Sequence, residues 1–71
     1  MNTIEISAML EWISRHERFL VVDELTVRAW RDVLKQDIDV HWVKDYLVRY
    51  YSKPDQPPMT AGRINEAWYR S

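Results

Sequence analysis

Residues 40–50 have the sequence VHWVKDYLVRY, and this stretch decides the fold class. Its apolar and aromatic side chains recur with the period of an α-helix, at Val40, Val43, Tyr46, Leu47 and Tyr50. Recurrence at i, i+3, i+6, i+7 and i+10 places them on one face of a helix. Asp39 stands just before the stretch, where a carboxylate accepts hydrogen bonds from the free amides of a first helical turn. We therefore predict a helix over residues 39–51.

Three further segments share this period. Their apolar positions are Ile6, Met9, Leu10 and Ile13 in the first, Val27, Trp30, Val33 and Leu34 in the second, and Ile64, Ala67 and Trp68 in the third. Each segment follows residues that cap helix N-termini, and the candidates are Asn2 or Thr3, Asp23 or Thr26, and Thr60. We predict helices over about residues 3–17, 24–35 and 61–69.

Two connectors complete the chain. The apolar run over residues 19–22 is β-prone, but no second strand exists to pair with it, so we predict a buried connector whose side chains fill the core. Three prolines in residues 52–59 remove amide donors and favour an extended, stiff loop. The predicted fold is all-α, a single domain over residues 1–71, with three main helices and a short C-terminal fourth helix.

Composition excludes several classes of protein. A chain of 71 residues is one domain at most, and without cysteine it has neither a disulfide framework nor a thiolate zinc site. Its single glycine is too few for a phosphate-binding loop. No apolar run reaches the roughly 18 residues of a membrane span, and no secretory pattern opens the chain. We expect a cytoplasmic protein that does not bind membranes.

The charge is nearly balanced, at a net −1. Residues 1–39 carry five basic and eight acidic side chains, whereas residues 40–71 carry five basic and three acidic ones. This balance argues against sequence-independent coating of DNA, which needs a strongly basic protein. It leaves room for a local basic patch in the second half.

The sequence favours no catalytic or metal chemistry. Asp37, His41 and Asp45 share a helix face at i, i+4 spacing, but a solvated polar face explains them better than a metal site, which needs three or four convergent ligands. The hydroxyl side chains fall at predicted caps, exposed helix positions or the terminus, without a partnering base. We expect no enzyme activity, no metal and no cofactor.

Basic residues gather around the proline loop and its flanking helices. Arg49, Lys53, Arg63 and Arg70 are the candidate nucleic-acid-binding residues, with Tyr50, Tyr51 and Trp68 beside them. Single-stranded nucleic acid is held by this combination, in which cations bind phosphates and rings stack on bases. The competing interpretation is that the rings are core and the cations solvate its rim. A second basic stripe, Arg28, Arg31 and Lys35, fits either a DNA-recognition helix or intrahelical salt bridges.

The four tryptophans divide into two pairs. Trp30 and Trp68 lie on the predicted apolar stripes. Trp12 and Trp42 each stand beside a stripe residue, at the edge or outside. An exposed tryptophan typically anchors a protein interface, so Trp12 and Trp42 are the candidate protein-interface residues. The competing interpretation is a wide apolar stripe that covers them.

The residues from the second helix to the fourth form a longer pattern. A Trp precedes a Leu by four positions, an acidic break leads to a helix with aromatics near its end, and a Lys and Pro-Pro loop leads to a short helix. The residues are Trp30, Leu34, Asp37, Ile38, Asp39, Val43, Leu47, Tyr50, Tyr51, Ser52, Lys53, Pro57, Pro58, Thr60 and Ile64. This pattern resembles the N-terminal domain of the phage helicase-loader family, small proteins that load and inhibit the phage replicative helicase. Short proteins of actinobacterial phages and prophages look similar, and the resemblance covers about residues 5–68.

The resemblance implies an all-α fold and a DNA-replication context. The loaders are longer, and their C-terminal tail is the part associated with engaging the helicase. No such tail is present up to Ser71, so the resemblance leaves helicase loading itself open. We expect a non-enzymatic replication accessory domain that acts by protein–protein and DNA contacts. The alternatives are a small DNA-binding regulator and a phage effector that inhibits a host protein. The expected partner is a replication or host protein, with nucleic acid or a second copy of the chain as further partners.

Overall fold

Four α-helices make up the regular structure of the computed structural model, which describes residues 1–71. They are α1 (Thr3–Ser14), α2 (Glu24–Val33), α3 (Val40–Tyr51) and α4 (Ala61–Arg70). No strand accompanies them, so the predicted all-α fold class is confirmed. None of the four helices has the length and apolar character needed to cross a membrane.

A side chain caps the N-terminus of every helix. The caps are Asn2, Asp23, Asp39 and Thr60, each of which accepts a hydrogen bond from the backbone amide three residues on. At α1 the cap is reciprocal, because the Glu5 carboxylate also accepts from the Asn2 amide at 3.0 Å. Each cap satisfies an amide that would otherwise have no partner in the first turn.

Two helices end earlier than predicted. α1 stops at Ser14 rather than at residue 17, because its buried stripe ends at Ile13, whose carbonyl accepts from both the His16 and the Glu17 amides. α2 stops at Val33 rather than at residue 35. Leu34 leaves helical geometry at ψ 137, and this turn carries its side chain into the core.

The core contains twelve buried side chains, all of them apolar. They are Ile6, Met9, Leu10, Ile13, Val27, Leu34, Ile38, Val43, Leu47, Met59, Ala61 and Ile64. α1 packs on α2, and α2 packs on α4. Most of the large aromatic side chains are half-buried at the edge of this core rather than inside it.

The connector between α1 and α2 is only partly buried, which corrects the prediction that its four side chains fill the core. Leu20 and Val22 pack against the core, whereas Phe19 is 96% exposed and Val21 also faces solvent. Phe19 lies in a turn closed by the hydrogen bond from the Leu20 amide to the Glu17 carbonyl, and along the extended residues 20–22 successive side chains point to opposite sides, so Leu20 and Val22 face the core while Val21 does not.

The loop between α3 and α4 turns before it extends. Asp55 adopts a left-handed conformation with φ 60, which aspartate tolerates better than most residues. The Tyr50 hydroxyl donates a hydrogen bond to the Pro57 carbonyl. Met59 is buried just before the cap of α4. The loop is therefore tied to α3 at one point and to the core at another.

Candidate binding surfaces

Two grooves open along α3. The arginine groove, between α3 and α4, has a volume of about 690 Å³ and is lined by Trp42, Tyr46, Arg49, Arg63, Glu66, Ala67, Arg70 and Ser71. The apolar groove, between α1 and α3, has a volume of about 370 Å³ and is lined by Ile4, Glu5, Ala8, Met9, Trp12, Val40, Val43, Lys44 and Leu47. Since helix positions advance by about 100° per residue, the two sets on α3 lie roughly 140° apart around its axis. α3 is thus a wall shared by two distinct surfaces.

The arginine groove holds guanidinium groups without acidic partners. Arg49 and Arg63 take part in no salt bridge, whereas Arg70 pairs with Glu66 at 2.7 Å on the same helix. All three arginines are exposed. With three cations and one carboxylate, the groove is electropositive and suited to an anionic group.

One side of the arginine groove is aromatic. The Trp42 and Tyr46 rings stack nearly parallel, with centroids 5.3 Å apart and 4° between their planes. The Trp42 and Trp68 rings are nearly perpendicular with centroids 5.0 Å apart, and the Tyr50 ring centroid lies 6.1 Å from that of Tyr46. Burial raises the pKa of the Tyr46 hydroxyl, and the charges of Arg63 and Glu66 both act on it. The aromatic side chains therefore stand next to the charged ones.

The structure brings together three of the four predicted nucleic-acid-binding residues. Arg49, Arg63 and Arg70 line the arginine groove, but Lys53 is not among its lining residues and lies in the turn after α3. The aromatic residues predicted beside them are used differently. The Tyr50 and Tyr51 hydroxyls bond to Pro57 and Glu17, and the Trp68 indole donates to Asp37 at 3.4 Å.

The apolar groove contains Trp12, one of the two predicted interface residues. The Trp12 ring is half-buried and lies 4.4 Å from His16 and 5.8 Å from Tyr51, centroid to centroid. Ile4, at the opposite end of the row Ile4, Ala8 and Trp12, is 81% exposed. Lys44 forms no salt bridge and is the free charge of this groove.

All four tryptophans are half-buried, so the predicted division between core and edge does not describe them. Trp30 and Trp68, expected in the core, only pack against it. Trp12 borders the apolar groove and Trp42 borders the arginine groove. The second predicted interface residue therefore belongs to the charged surface rather than to the apolar one.

The basic stripe of α2 is paired within the chain. Arg28 binds Glu24 at 2.7 Å, and Arg31 lies 3.9 Å from Asp32. The Lys35 ammonium lies 5.6 Å from the centroid of the Tyr69 ring. Only the Arg28–Glu24 pair has the i, i+4 spacing that stabilises a helix without any ligand, so it favours the intrahelical interpretation for Arg28. Lys35 lies beyond the end of α2, and its aromatic partner is on α4.

No group of three or more His, Cys, Asp or Glu side chains in residues 1–71 is arranged to hold a metal ion. Of the three residues considered for a metal site, Asp37 accepts a hydrogen bond from Trp68, and both His41 and Asp45 are exposed on α3.

Sequence reasoning missed parts of both surfaces. Ile4 and Ala8 fall outside the core stripe of α1, and the apolar row at positions 4, 8 and 12 was the available signal. The helical period places Tyr46 on the core stripe of α3, but its side chain also lines the arginine groove. The spacing of Glu66 and Arg70 at i, i+4 was the signal for their ion pair.

Comparisons with known proteins add no relative to these observations. A scan against protein-family models and searches of the curated proteins and of the solved structures found nothing that matches this chain.

Proposed function

We propose that this chain is a non-catalytic accessory domain of phage-type DNA replication that binds a replication protein in the apolar groove. The observation that carries the proposal is the groove itself, an open apolar surface with a tryptophan on one of its walls. Ile4 is left 81% exposed there, beside Ala8, which is also exposed, and Trp12, which is half-buried. A contiguous apolar surface of this kind, unlike a single exposed side chain, is typical of a contact surface.

The groove specifies the chemistry of its ligand. Two helical walls with apolar linings accept an amphipathic helix, whose apolar side chains at i, i+3, i+4 and i+7 fill the space between them. Trp12 supplies the large half-buried ring that commonly anchors such a contact. Lys44 has no acidic partner in the chain, whereas the Glu5 carboxylate already accepts from the Asn2 amide. A ligand helix with an acidic residue opposite Lys44 would pair with a cation that forms no salt bridge within the chain.

The replication context rests on the resemblance to the N-terminal domains of phage helicase loaders. Two residues of that pattern, Val43 and Leu47, also line the apolar groove. Trp30 and Leu34 lie at the end of α2, where Leu34 is buried and Trp30 packs against the core. The residues that carry the resemblance thus include part of the wall of the apolar groove, and replication initiators and helicases are the candidate partners.

Affinity capture from phage-infected actinobacterial cells tests this function. The bait is the full chain, and the blocking variant is Ala8→Arg, which places a cation inside the apolar groove. Ala29→Arg is the matched control, because Ala29 is also an exposed helical alanine but lines neither groove. We expect a replication protein, identified by mass spectrometry, to be captured by the native chain and by Ala29→Arg but lost with Ala8→Arg.

Two results would overturn the proposal. Equal capture by both arginine variants would show that the apolar groove is not the contact surface. If the protein captured by the native chain and lost with Ala8→Arg is instead a host protein unrelated to replication, the result would indicate an effector that acts on the host. Trp12→Ala adds a second measure of the same groove, and circular dichroism confirms that each variant keeps its helices.

A further inference from the structure

We propose that the arginine groove is a binding site for single-stranded nucleic acid, separate from the apolar groove. Arg49, Arg63 and Arg70 bind consecutive phosphates, and the aromatic wall formed by Trp42 and Tyr46 takes the bases. This combination of cations and ring surface is the one that sequence-independent single-strand binders use.

The position of Arg63 is the strongest sign of a ligand. Arg49 and Arg70 stand in the last turns of their helices, where a cation is favoured by the helix dipole. Arg63 stands in the first turn of α4, where the dipole disfavours a cation, and that turn contains no acidic residue. Arg63 also has no salt bridge. Helix stability therefore does not explain Arg63, whereas an anion in the groove does.

The aromatic wall selects the kind of anion. Trp42 and Tyr46 form a parallel stack whose half-buried rings expose part of their surface in the groove. Unpaired bases pack against such partly exposed ring surface, whereas a duplex keeps its base faces inside and an acidic peptide has none. The juxtaposition of ring surface with unpaired guanidinium groups thus favours a single strand over both alternatives.

Glu66 limits the affinity of the site. Its carboxylate lies 2.7 Å from the Arg70 guanidinium and competes with a phosphate for it. Both side chains are largely exposed, so the pair is weak and opens readily. Removal of the Glu66 carboxylate charge should therefore strengthen binding of the single strand. If the ion pair only held Arg70 in place, its removal would weaken binding instead.

Fluorescence anisotropy with labelled ten-nucleotide dT and rU strands tests the site. We expect saturable binding at 20–200 mM salt, with a log–log slope of about −2 for three phosphate contacts on a single strand. Arg63→Ala should weaken binding about fivefold at 50 mM salt and reduce the slope by about 0.7. Glu66→Gln should tighten binding about threefold at the same salt. Binding of either strand supports the site, and their order of affinity shows whether the sugar is recognised.

Lys53→Ala is the matched control, because Lys53 is basic and near in sequence but outside the groove. Its affinity should stay within about twofold of the native chain. Trp42→Phe should abolish any quenching of tryptophan fluorescence by the strand, which locates the stacked base. Absence of binding at 20 mM salt would overturn the proposal. Equal effects of Lys53→Ala and Arg63→Ala, or equal binding of a duplex or a polyglutamate peptide, would do the same.

Discussion

Asn65 joins two helices through a single side chain. Its Oδ1 atom accepts from the Lys35 amide at 3.0 Å, and its Nδ2 atom donates to the Val33 carbonyl at 2.8 Å. Both partners lie where α2 ends and the backbone turns to bury Leu34. The amide of Asn65 thus satisfies one donor and one acceptor that the end of a helix leaves without intrahelical partners.

Asn65→Ala tests this bridge through the sign of its effect. Alanine is the better helix former, so propensity alone predicts a slightly more stable protein. Loss of two hydrogen bonds predicts the opposite, a decrease in the free energy of unfolding of about 1–3 kcal/mol. Thermal and urea unfolding distinguish the two outcomes, since about 1 kcal/mol shifts the Tm of a domain of this size by about 4–8 °C.

Asn65→Asp is the companion variant. It keeps the acceptor for the Lys35 amide but replaces the donor that faces the Val33 carbonyl with a negatively charged oxygen. We expect it to be at least as destabilising as alanine at neutral pH, because the C-terminal end of a helix disfavours negative charge. Unchanged stability in both variants would show that the bridge contributes nothing.

The helix caps and the Asn65 bridge differ in how far the sequence predicts them. Asp23, Asp39 and Thr60 each bond to an amide three residues away, so a short window of sequence contains both partners. Asn65 bonds to groups about 30 residues earlier, and no local pattern marks that pairing. The early end of α2 likewise accompanies the burial of Leu34, which helical periodicity within α2 does not reveal.

The ends of α1 and α3 are held together by polar and aromatic contacts. The Tyr51 hydroxyl donates to the Glu17 carboxylate at 2.7 Å, and the Tyr51 ring stacks on His16 at 4.7 Å. Burial raises the pKa of Tyr51, and the neighbouring Glu17 carboxylate raises it further. The periodic pattern predicts each helix separately, but it does not predict this contact, which forms only after the chain has folded back.

Tyr51→Phe should reveal this contact as a dependence of stability on pH. At pH 7 the variant loses the hydrogen bond to Glu17, which costs about 1 kcal/mol of unfolding free energy. A tyrosine side chain in the unfolded chain ionises at about pH 10, whereas the raised pKa of folded Tyr51 keeps its hydroxyl protonated to a higher pH. The stabilising contribution of the raised Tyr51 pKa is therefore complete below about pH 10, and the native chain loses it as the pH rises above that value. The variant lacks the Tyr51 contribution to this loss, so the difference between the two proteins should shrink at alkaline pH.

Urea unfolding from pH 7 to pH 11 measures this difference. Tyr69→Phe is the control, because Tyr69 is exposed and its hydroxyl forms no hydrogen bond within the chain. Its stability relative to the native chain should stay constant over the same range. If the difference in unfolding free energy between Tyr51→Phe and the native chain also stayed constant with pH, this would contradict the assignment of the raised pKa to this contact.

At the scale of the whole molecule, α3 supports two surfaces of different chemistry. Its periodic face was predicted from the sequence, and its buried residues Val43 and Leu47 lie where expected. The grooves depend on how α1 and α4 flank that helix, which periodicity does not specify. Arg49, Arg63 and Arg70 share one groove although they come from two helices, whereas Lys53 is close to Arg49 in sequence but lies outside that groove.

The opposite placement of the grooves predicts that they work independently. An α-helix with its side chains is about 10–12 Å across, which exceeds the screening length of about 8 Å at physiological salt. A charge placed in the apolar groove at Ala8 should therefore change the affinity for a single strand no more than the same charge at Ala29. Anisotropy titrations at 150 mM salt compare Ala8→Arg with Ala29→Arg, and the affinity of both for the single strand should stay within about twofold of the native chain.

Conversely, Arg63→Ala should leave the captured protein partner unchanged. A larger effect of Ala8→Arg than of Ala29→Arg would show that α3 couples the two grooves, and the domain would then bind one ligand at the expense of the other.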